Sequence, residues 1–213
     1  MRSLLDLLYP PRCLHCGKIL ENRTVLCEDC RKSAAWCRKV KTKPQFLDSV
    51  TAVWYYKENV RESLLRFKFR GGSGQAAAYG RFLAAAVRRD HPEGFDCLTW
   101  VPTASRRRFR RGYDQAKLIC KALGKELSMK PEPLLRKIRS NRAQSSLGDP
   151  AQRRANVLGV YRFRGKKTLE GRRVLLVDDI FTTGATAGEC ARVLKSAGAK
   201  TVCCAVVASA ERD

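Results

Sequence analysis

The sequence predicts an α/β fold, a parallel sheet flanked by helices, with a small N-terminal four-cysteine zinc module. Three observations carry this reading. Val174-Leu-Leu-Val-Asp-Asp-Ile-Phe-Thr-Thr-Gly-Ala-Thr186 reads as an apolar strand, a polar loop and a helix start. An apolar run without polar alternation suits a strand buried on both faces. Similar runs at Val50–Tyr56, Asp96–Val101, Val157–Phe163 and Thr201–Val207 alternate with helical patterns, as parallel sheets require. Finally, Cys13-x-x-Cys16 and Cys27-x-x-Cys30 have the spacing of a structural zinc site. Residues 1–45 therefore form an N-terminal helix and zinc-binding module, and residues 46–213 the α/β domain.

Composition narrows the partners. The chain has 213 residues, of which 44% are hydrophobic, enough for one core and a small module. Lys and Arg number 43 against 20 Asp and Glu, a net charge of +23. That excess predicts attraction to polyanions: phosphorylated ligands, nucleic acid or an anionic surface. No stretch reaches the length of a membrane span. Asp6 interrupts the apolar N-terminus and no cleavage site follows, which argues against a signal peptide. The ten cysteines are paired at metal spacing or set in apolar patterns, which favours a reducing cytoplasm over a disulfide scaffold.

Taken in order, residues 1–10 read as a short amphipathic helix stopped by Pro10 and Pro11. In the cysteine pairs, each tight turn aims two thiolates at one point, and Gly17 suits the turn; redox-active or merely buried cysteines are the alternative. His15 reads as a surface residue and Cys37 as a non-ligand. Residues 31–47 form a connector, Val50–Tyr56 a strand, Val60–Phe69 and Ala76–Arg89 helices, with Gly71–Gly74 a turn between them. His91 reads as a surface residue at a helix end.

The strand from Asp96 to Val101 ends in Pro102, Thr103 and Ala104, small residues placed to form a second anion loop. Next come Arg106, Arg107, Arg108, Phe109, Arg110, Arg111, Gly112 and Tyr113. Five arginines in six positions repel one another, so this segment is expected to be mobile without an anion. It suits a loop closing on a pyrophosphate, or a strip for single-stranded nucleic acid with Phe109 and Tyr113 stacking on bases. Packing is the alternative role for both aromatics. A helix follows over Ala116–Leu127, a strand over Val157–Phe163 and a turn over Gly165–Gly171. From 97 to 170 the chain has 19 basic residues against five acidic ones, so the charge is concentrated there. Cys190, Cys203 and Cys204 fall at core positions.

The loop after Val177 has a definite chemistry. Thr182, Thr183, Gly184, Ala185 and Thr186 offer backbone N–H groups and hydroxyls at a helix N-terminus, an anion site. Asp178 and Asp179 suit sugar hydroxyls or hydrated Mg²⁺ rather than a phosphate. A ligand with both a phosphate and a diol is implied, such as a ribose 5-phosphate.

These residues resemble the 5-phosphoribosyl-1-pyrophosphate (PRPP) motif of type I phosphoribosyltransferases. Together with the cysteine pairs, Phe67-Lys-Phe-Arg-Gly71, Val101-Pro102, Arg111-Gly-Tyr-Asp-Gln115, Gln144-x-x-Leu147 and Arg153-x-x-Asn156, the whole chain resembles the ComF family of competence-associated, phosphoribosyltransferase-like proteins. The resemblance implies a type I phosphoribosyltransferase-like parallel sheet flanked by helices. It implies PRPP and Mg²⁺ at the strand ends, with Asp178 and Asp179 on the ribose hydroxyls and Thr182–Thr186 on the 5-phosphate. Pro102, Thr103 and Ala104 would take pyrophosphate, and Arg110 and Arg111 would close over it as catalytic groups alongside the two aspartates. It also implies structural zinc on Cys13, Cys16, Cys27 and Cys30, single-stranded DNA as a partner, and work beside competence and recombination proteins. Asp114 stands where the family usually has Asn, placing a negative charge in the loop. A second cysteine pair frequent in the family is reduced to Cys37. Two functions stay open: a cytoplasmic DNA-uptake protein that binds PRPP and single-stranded DNA, and an active phosphoribosyltransferase in nucleotide synthesis or salvage.

Overall fold

In the computed structural model of the chain, residues 10–22, 24–69, 74–103, 112–139 and 156–210 are described. The expected N-terminal helix, the Gly71–Gly74 turn except Gly74, Ala104, the arginine run 106–111, and the motif residues Gln144, Leu147 and Arg153 lie outside them.

The elements are α1 (Glu28–Ser33), β1 (Ser49–Tyr55), α2 (Glu58–Phe69), α3 (Gln75–Asp90), β2 (Cys97–Trp100), α4 (Gln115–Glu126), β3 (Leu135–Lys137), β4 (Tyr161–Phe163), β5 (Arg173–Phe181), α5 (Ala185–Ser196) and β6 (Thr201–Ser209). Four strands form one sheet in the order β1-β6-β5-β2, every pair parallel. β5 and β6 take the centre because their runs are apolar on both faces. Leu175, Val177, Cys203, Ala205 and Val207 face the zinc module with α2, α3 and α4. Val174, Leu176, Val202, Cys204 and Val206 face α5 and the antiparallel β3–β4 hairpin. The period-2 alternation of a strand thus divides one apolar run between two cores.

The zinc module belongs to the first core. Cys13, Leu14, Leu20, Leu26 and Cys30 are buried with Trp54 of β1 and Leu64 and Phe67 of α2. A module this small buries little apolar surface by itself, so it uses the domain's helices as its second layer.

Four details differ from the sequence reading. His15 is buried, 1% exposed, with its ring 4.8 Å from that of Trp54. The apolar neighbours of Cys13 and Leu14 draw the intervening turn inward. His91 is only partly exposed: its Nε2 lies 3.1 Å from Ser49 Oγ and its ring packs on Phe95 at 5.1 Å. Strand β5 continues through both aspartates to Phe181, because β6 runs alongside it as far as Phe181↔Ser209. The expected strand over 157–163 holds only from Tyr161, since Gly159 takes φ +66° and donates its N–H to Glu189 Oε1 at 2.8 Å.

Candidate functional site

Two features meet through α2: the cysteine cluster and the loop after β5. The cysteine pairs converge as their spacing demands. The Sγ atoms of Cys13, Cys16, Cys27 and Cys30 all lie within 4.8 Å of one another. Cys16 and Cys27 Sγ are 3.8 Å apart, the edge expected for thiolates tetrahedrally placed about 2.3 Å from zinc. Backbone N–H groups already point at the sulfurs, Cys27 N–H to Cys13 Sγ and Cys30 N–H to Cys27 Sγ, each at 3.4 Å. Burial pushes the Cys13 thiol up, but the N–H groups of Cys16, Cys27 and His15 outweigh it and bring its pKa from 9.0 to about 7. The left-handed Gly17, φ +77°, turns the chain after the second ligand. The donor set, its spacing and its N–H partners fit structural zinc. Among the described residues this is the one such cluster, and Cys37 is buried outside it, hydrogen-bonded through its N–H to Val53 O at 2.9 Å.

The knuckle is clamped to α2. Ser63 Oγ donates to Leu14 O, Arg66 Nη2 donates to Leu14 O at 3.1 Å, and Arg66 also donates to His15 O. Burial, then the Arg66 charge, lowers the His15 pKa to about 4, so the ring is neutral at pH 7. Neither of its ring nitrogens has a hydrogen-bond partner among the described residues.

Two residues beyond Arg66 on α2, Lys68 Nζ lies 2.8 Å from Asp179 Oδ2, both side chains largely covered. Burial opposes the Lys68 charge, but Asp179 and then Asp178 outweigh it and hold its pKa above the ordinary value. Because β5 is still a strand here, the two aspartates leave on opposite faces. Asp179 meets Lys68. Asp178 accepts the N–H of Asp179 at 2.8 Å and has the Cys190 and Cys204 thiols as neighbours. Burial and then the Asp179 charge hold the Asp178 carboxyl well above the usual carboxylate range.

The chain then turns at Gly184, φ +71°, into α5. A Cβ at Gly184 would come within 2.5 Å of the Phe181 ring and 2.7 Å of Pro44, so the connector from the zinc module lies against this turn. Thr183 Oγ1 accepts the Ala185 N–H at 3.3 Å. Gly184 and Ala185 are buried, Thr183 and Thr186 partly exposed and Thr182 exposed at the rim. A hydroxyl rim above a helix N-terminus is suited to an anion.

Pro102 and Thr103 follow β2, next to β5. Asp114 lies outside the arginine loop where the sequence reading put it. It is 7% exposed and caps α4, its Oδ1 accepting from Lys117 N–H at 3.1 Å and its Oδ2 from Thr103 N–H at 3.0 Å. Capping requires the position just before the helix, and a carboxylate there takes two N–H groups at once. Tyr113 packs its ring 6.0 Å from Phe67 and donates its hydroxyl to Phe67 O, the packing alternative. Sequence reading gave no role to Lys68 or Pro44 and took Asp114 for a loop charge; for Lys68 the one available signal was the basic residue inside Phe67-Lys-Phe-Arg-Gly71.

Comparison with known proteins bears on both features. Residues 4–42 match the double zinc ribbon domain, and residues 118–213 match the phosphoribosyl transferase domain. The DNA utilization protein YhgH of Salmonella typhimurium is 29% identical over 199 residues, covering 89% of this chain and 86% of that protein. Competence protein F of Haemophilus influenzae is 28% identical over 198 residues, covering 90% and 82%. Competence protein ComFC of Bacillus subtilis is 29% identical over 198 residues, covering 92% and 77%. The chain is thus similar to competence and DNA utilization proteins along about nine-tenths of its length. It has the α/β fold of phosphoribosyltransferases, with the four-cysteine cluster at its N-terminus. Among solved structures, glutamine PRPP amidotransferase from Bacillus subtilis is similar at 23% identity and a TM-score of 0.42, over 62% of this chain and 26% of that one. Among the described residues no helix is long and apolar enough to cross a membrane.

Proposed function

We propose that this chain is a ComF-family, cytoplasmic DNA-handling protein that binds PRPP, with Mg²⁺, at Asp178–Thr186 and single-stranded DNA on its basic surface. One observation carries the PRPP reading. Two carboxylates, with Lys68 against one of them, stand near the end of a central strand, shortly before the N-terminus of α5. A diol needs carboxylate acceptors and a 5-phosphate needs N–H groups and hydroxyls, and these follow one another from the end of β5 into the start of α5. Thr182 to Thr186 hold the phosphate and Asp179 and Asp178 orient the ribose. Pro102 and Thr103, steadied by Asp114, face the pyrophosphate. Asp178 and Asp179 also fit Mg²⁺ through the ligand's own oxygens; when bound, the ion offsets the pyrophosphate charge. Arg110 and Arg111 neutralise the same charge and exclude water.

The DNA part rests on the net charge of +23 and on Arg106, Arg107, Arg108, Arg110 and Arg111 in sequence with Phe109 and Tyr113. The ten cysteines, none in a disulfide, suit a reducing cytoplasm.

Calorimetry with PRPP and Mg²⁺ tests the central claim. Asp178→Asn with Asp179→Asn should abolish the binding heat while leaving the circular dichroism spectrum intact; unchanged affinity removes the proposal. Pyrophosphate release from PRPP and Mg²⁺ with one of a panel of bases, amines or oligonucleotides would make the same loop that of a phosphoribosyltransferase.

A further inference from the structure

A second basic surface lies away from the PRPP loop, on the β3–β4 hairpin. In its antiparallel register Arg136 stands directly opposite Arg162. Both are exposed, and so are Arg139 and Arg164 beside them. Like charges directly across a strand pair destabilise it. Among the described residues no carboxylate relieves them. Arg139 instead donates to Leu158 O at 2.9 Å. Glu189, the buried acid of α5, is already held by Arg192 with two bonds of 2.8 Å and by Gly159 N–H.

Between this hairpin and α5 runs a cleft of about 680 Å³, lined among others by Ile138, Arg139, Arg162, Phe163, Arg192 and Val193. The volume falls in the range of small-ligand pockets, about 300–1,000 Å³. It admits nucleotides splayed from a single strand rather than a duplex. Charge at the rim and an apolar, partly aromatic floor are what a phosphodiester and a base together require. Exposed Ile138 and Leu158, 37% and 63% exposed, extend the apolar part to the surface. Along α5 the lining residues Arg192 and Val193 lie about 12 Å or more from Gly184 at 1.5 Å per residue, so the cleft is separate from the PRPP loop.

We infer that the β3–β4 hairpin and the adjoining α5 cleft form a single-stranded nucleic-acid binding site, with Arg136, Arg162, Arg139 and Arg164 on the phosphates and the cleft receiving a base. This rests on the reading of the chain as a DNA-handling protein, and it gives the strand a second surface besides the arginine run before Tyr113.

The test is fluorescence anisotropy of a labelled oligothymidylate with the full chain. Three proteins are compared: wild type, Arg136→Gln with Arg162→Gln, and Arg107→Ala with Arg108→Ala, Arg110→Ala and Arg111→Ala. The hairpin variant should bind about tenfold more weakly at physiological salt, and its log–log salt slope should fall by about 0.7 for each arginine removed. Its melting temperature should stay or rise, because a repulsive pair has gone. Wild-type binding with undiminished affinity and slope in the hairpin variant overturns the hairpin site alone. No wild-type binding removes the DNA reading and the hairpin site with it. Displacement of the oligonucleotide by poly-glutamate as readily as by unlabelled oligothymidylate overturns the nucleic-acid assignment.

Discussion

Lys68 Nζ and Asp179 Oδ2 lie 2.8 Å apart, on a helix and a strand that share no other ion pair among the described residues. Lys68 follows Ser63 and Arg66 on α2, and those two hold the zinc knuckle. One helix therefore touches the cysteine cluster near its middle and the ligand loop at its end. Lys68→Met leaves two neighbouring carboxylates without their lysine. Between the values for exposed and buried pairs, the loss is about 2 kcal/mol, or about 4–8 °C in melting temperature for a chain of this length. Adding Mg²⁺ should raise the variant's melting temperature more than the wild type's, since a divalent cation replaces the missing charge. Equal Mg²⁺ responses would show that the carboxylates do not attract the ion.

Asp114 supplies a second test. Asp114→Ala removes a helix cap and the bond to Thr103 N–H, a loss of about 2–3 kcal/mol by chemical denaturation. Asp114→Asn should lose about half of that, because an amide offers one acceptor oxygen in place of two. If this charge instead stood in the pyrophosphate path, Asp114→Asn would raise PRPP affinity. The capping geometry predicts no gain, which calorimetry decides.

Zinc should report through Trp54. The indole is fully buried, 4.8 Å from His15 inside the first knuckle. Chelation should lower the melting temperature and shift tryptophan emission to the red as that packing opens. Cys16→Ser should reduce the zinc found by metal analysis, whereas Cys37→Ser should leave it unchanged. A loss of zinc in Cys37→Ser would place that thiol among the ligands.

Asp48 ties three elements at their ends. Its Oδ2 accepts from Val202 N–H at 2.7 Å and from Lys195 Nζ at 2.8 Å. Burial raises its pKa, but Lys195 and the Val202 N–H outweigh burial and hold it below the ordinary carboxylate value. A depressed pKa stabilises the folded chain above the unfolded value, about 3.9, and that stabilisation is lost as pH falls through the folded value. Asp48→Asn should therefore melt below wild type at pH 7. The gap should close as the pH is taken below the unfolded value, and a gap independent of pH would contradict the ion pair.

Much of this architecture follows from local pattern. The apolar run Val174–Val177 cannot be solvated on either face, so it has to be a central strand. Four thiols in two tight turns have to converge. The glycine before α5 has to take the conformation that other residues avoid. Other features depend on chain segments far apart in sequence. His15 and Trp54 are separated by the zinc module and the connector, and no local pattern says that the ring is buried. Asp114 looks like a loop charge until Thr103, just beyond β2, is brought against it. The adjacent aspartates look like one acidic patch until β6 extends β5 past them and sends them to opposite faces.

The sequence alone therefore determined what can be held: thiolates at zinc spacing, and carboxylates and small hydroxyl residues at a strand end, because such preferences lie within a few consecutive residues. Tertiary structure alone decided what accompanies them. Lys68 on Asp179, Pro44 on Gly184 and Arg136 opposite Arg162 are contacts between separate elements, set by how two cores pack on the faces of one sheet.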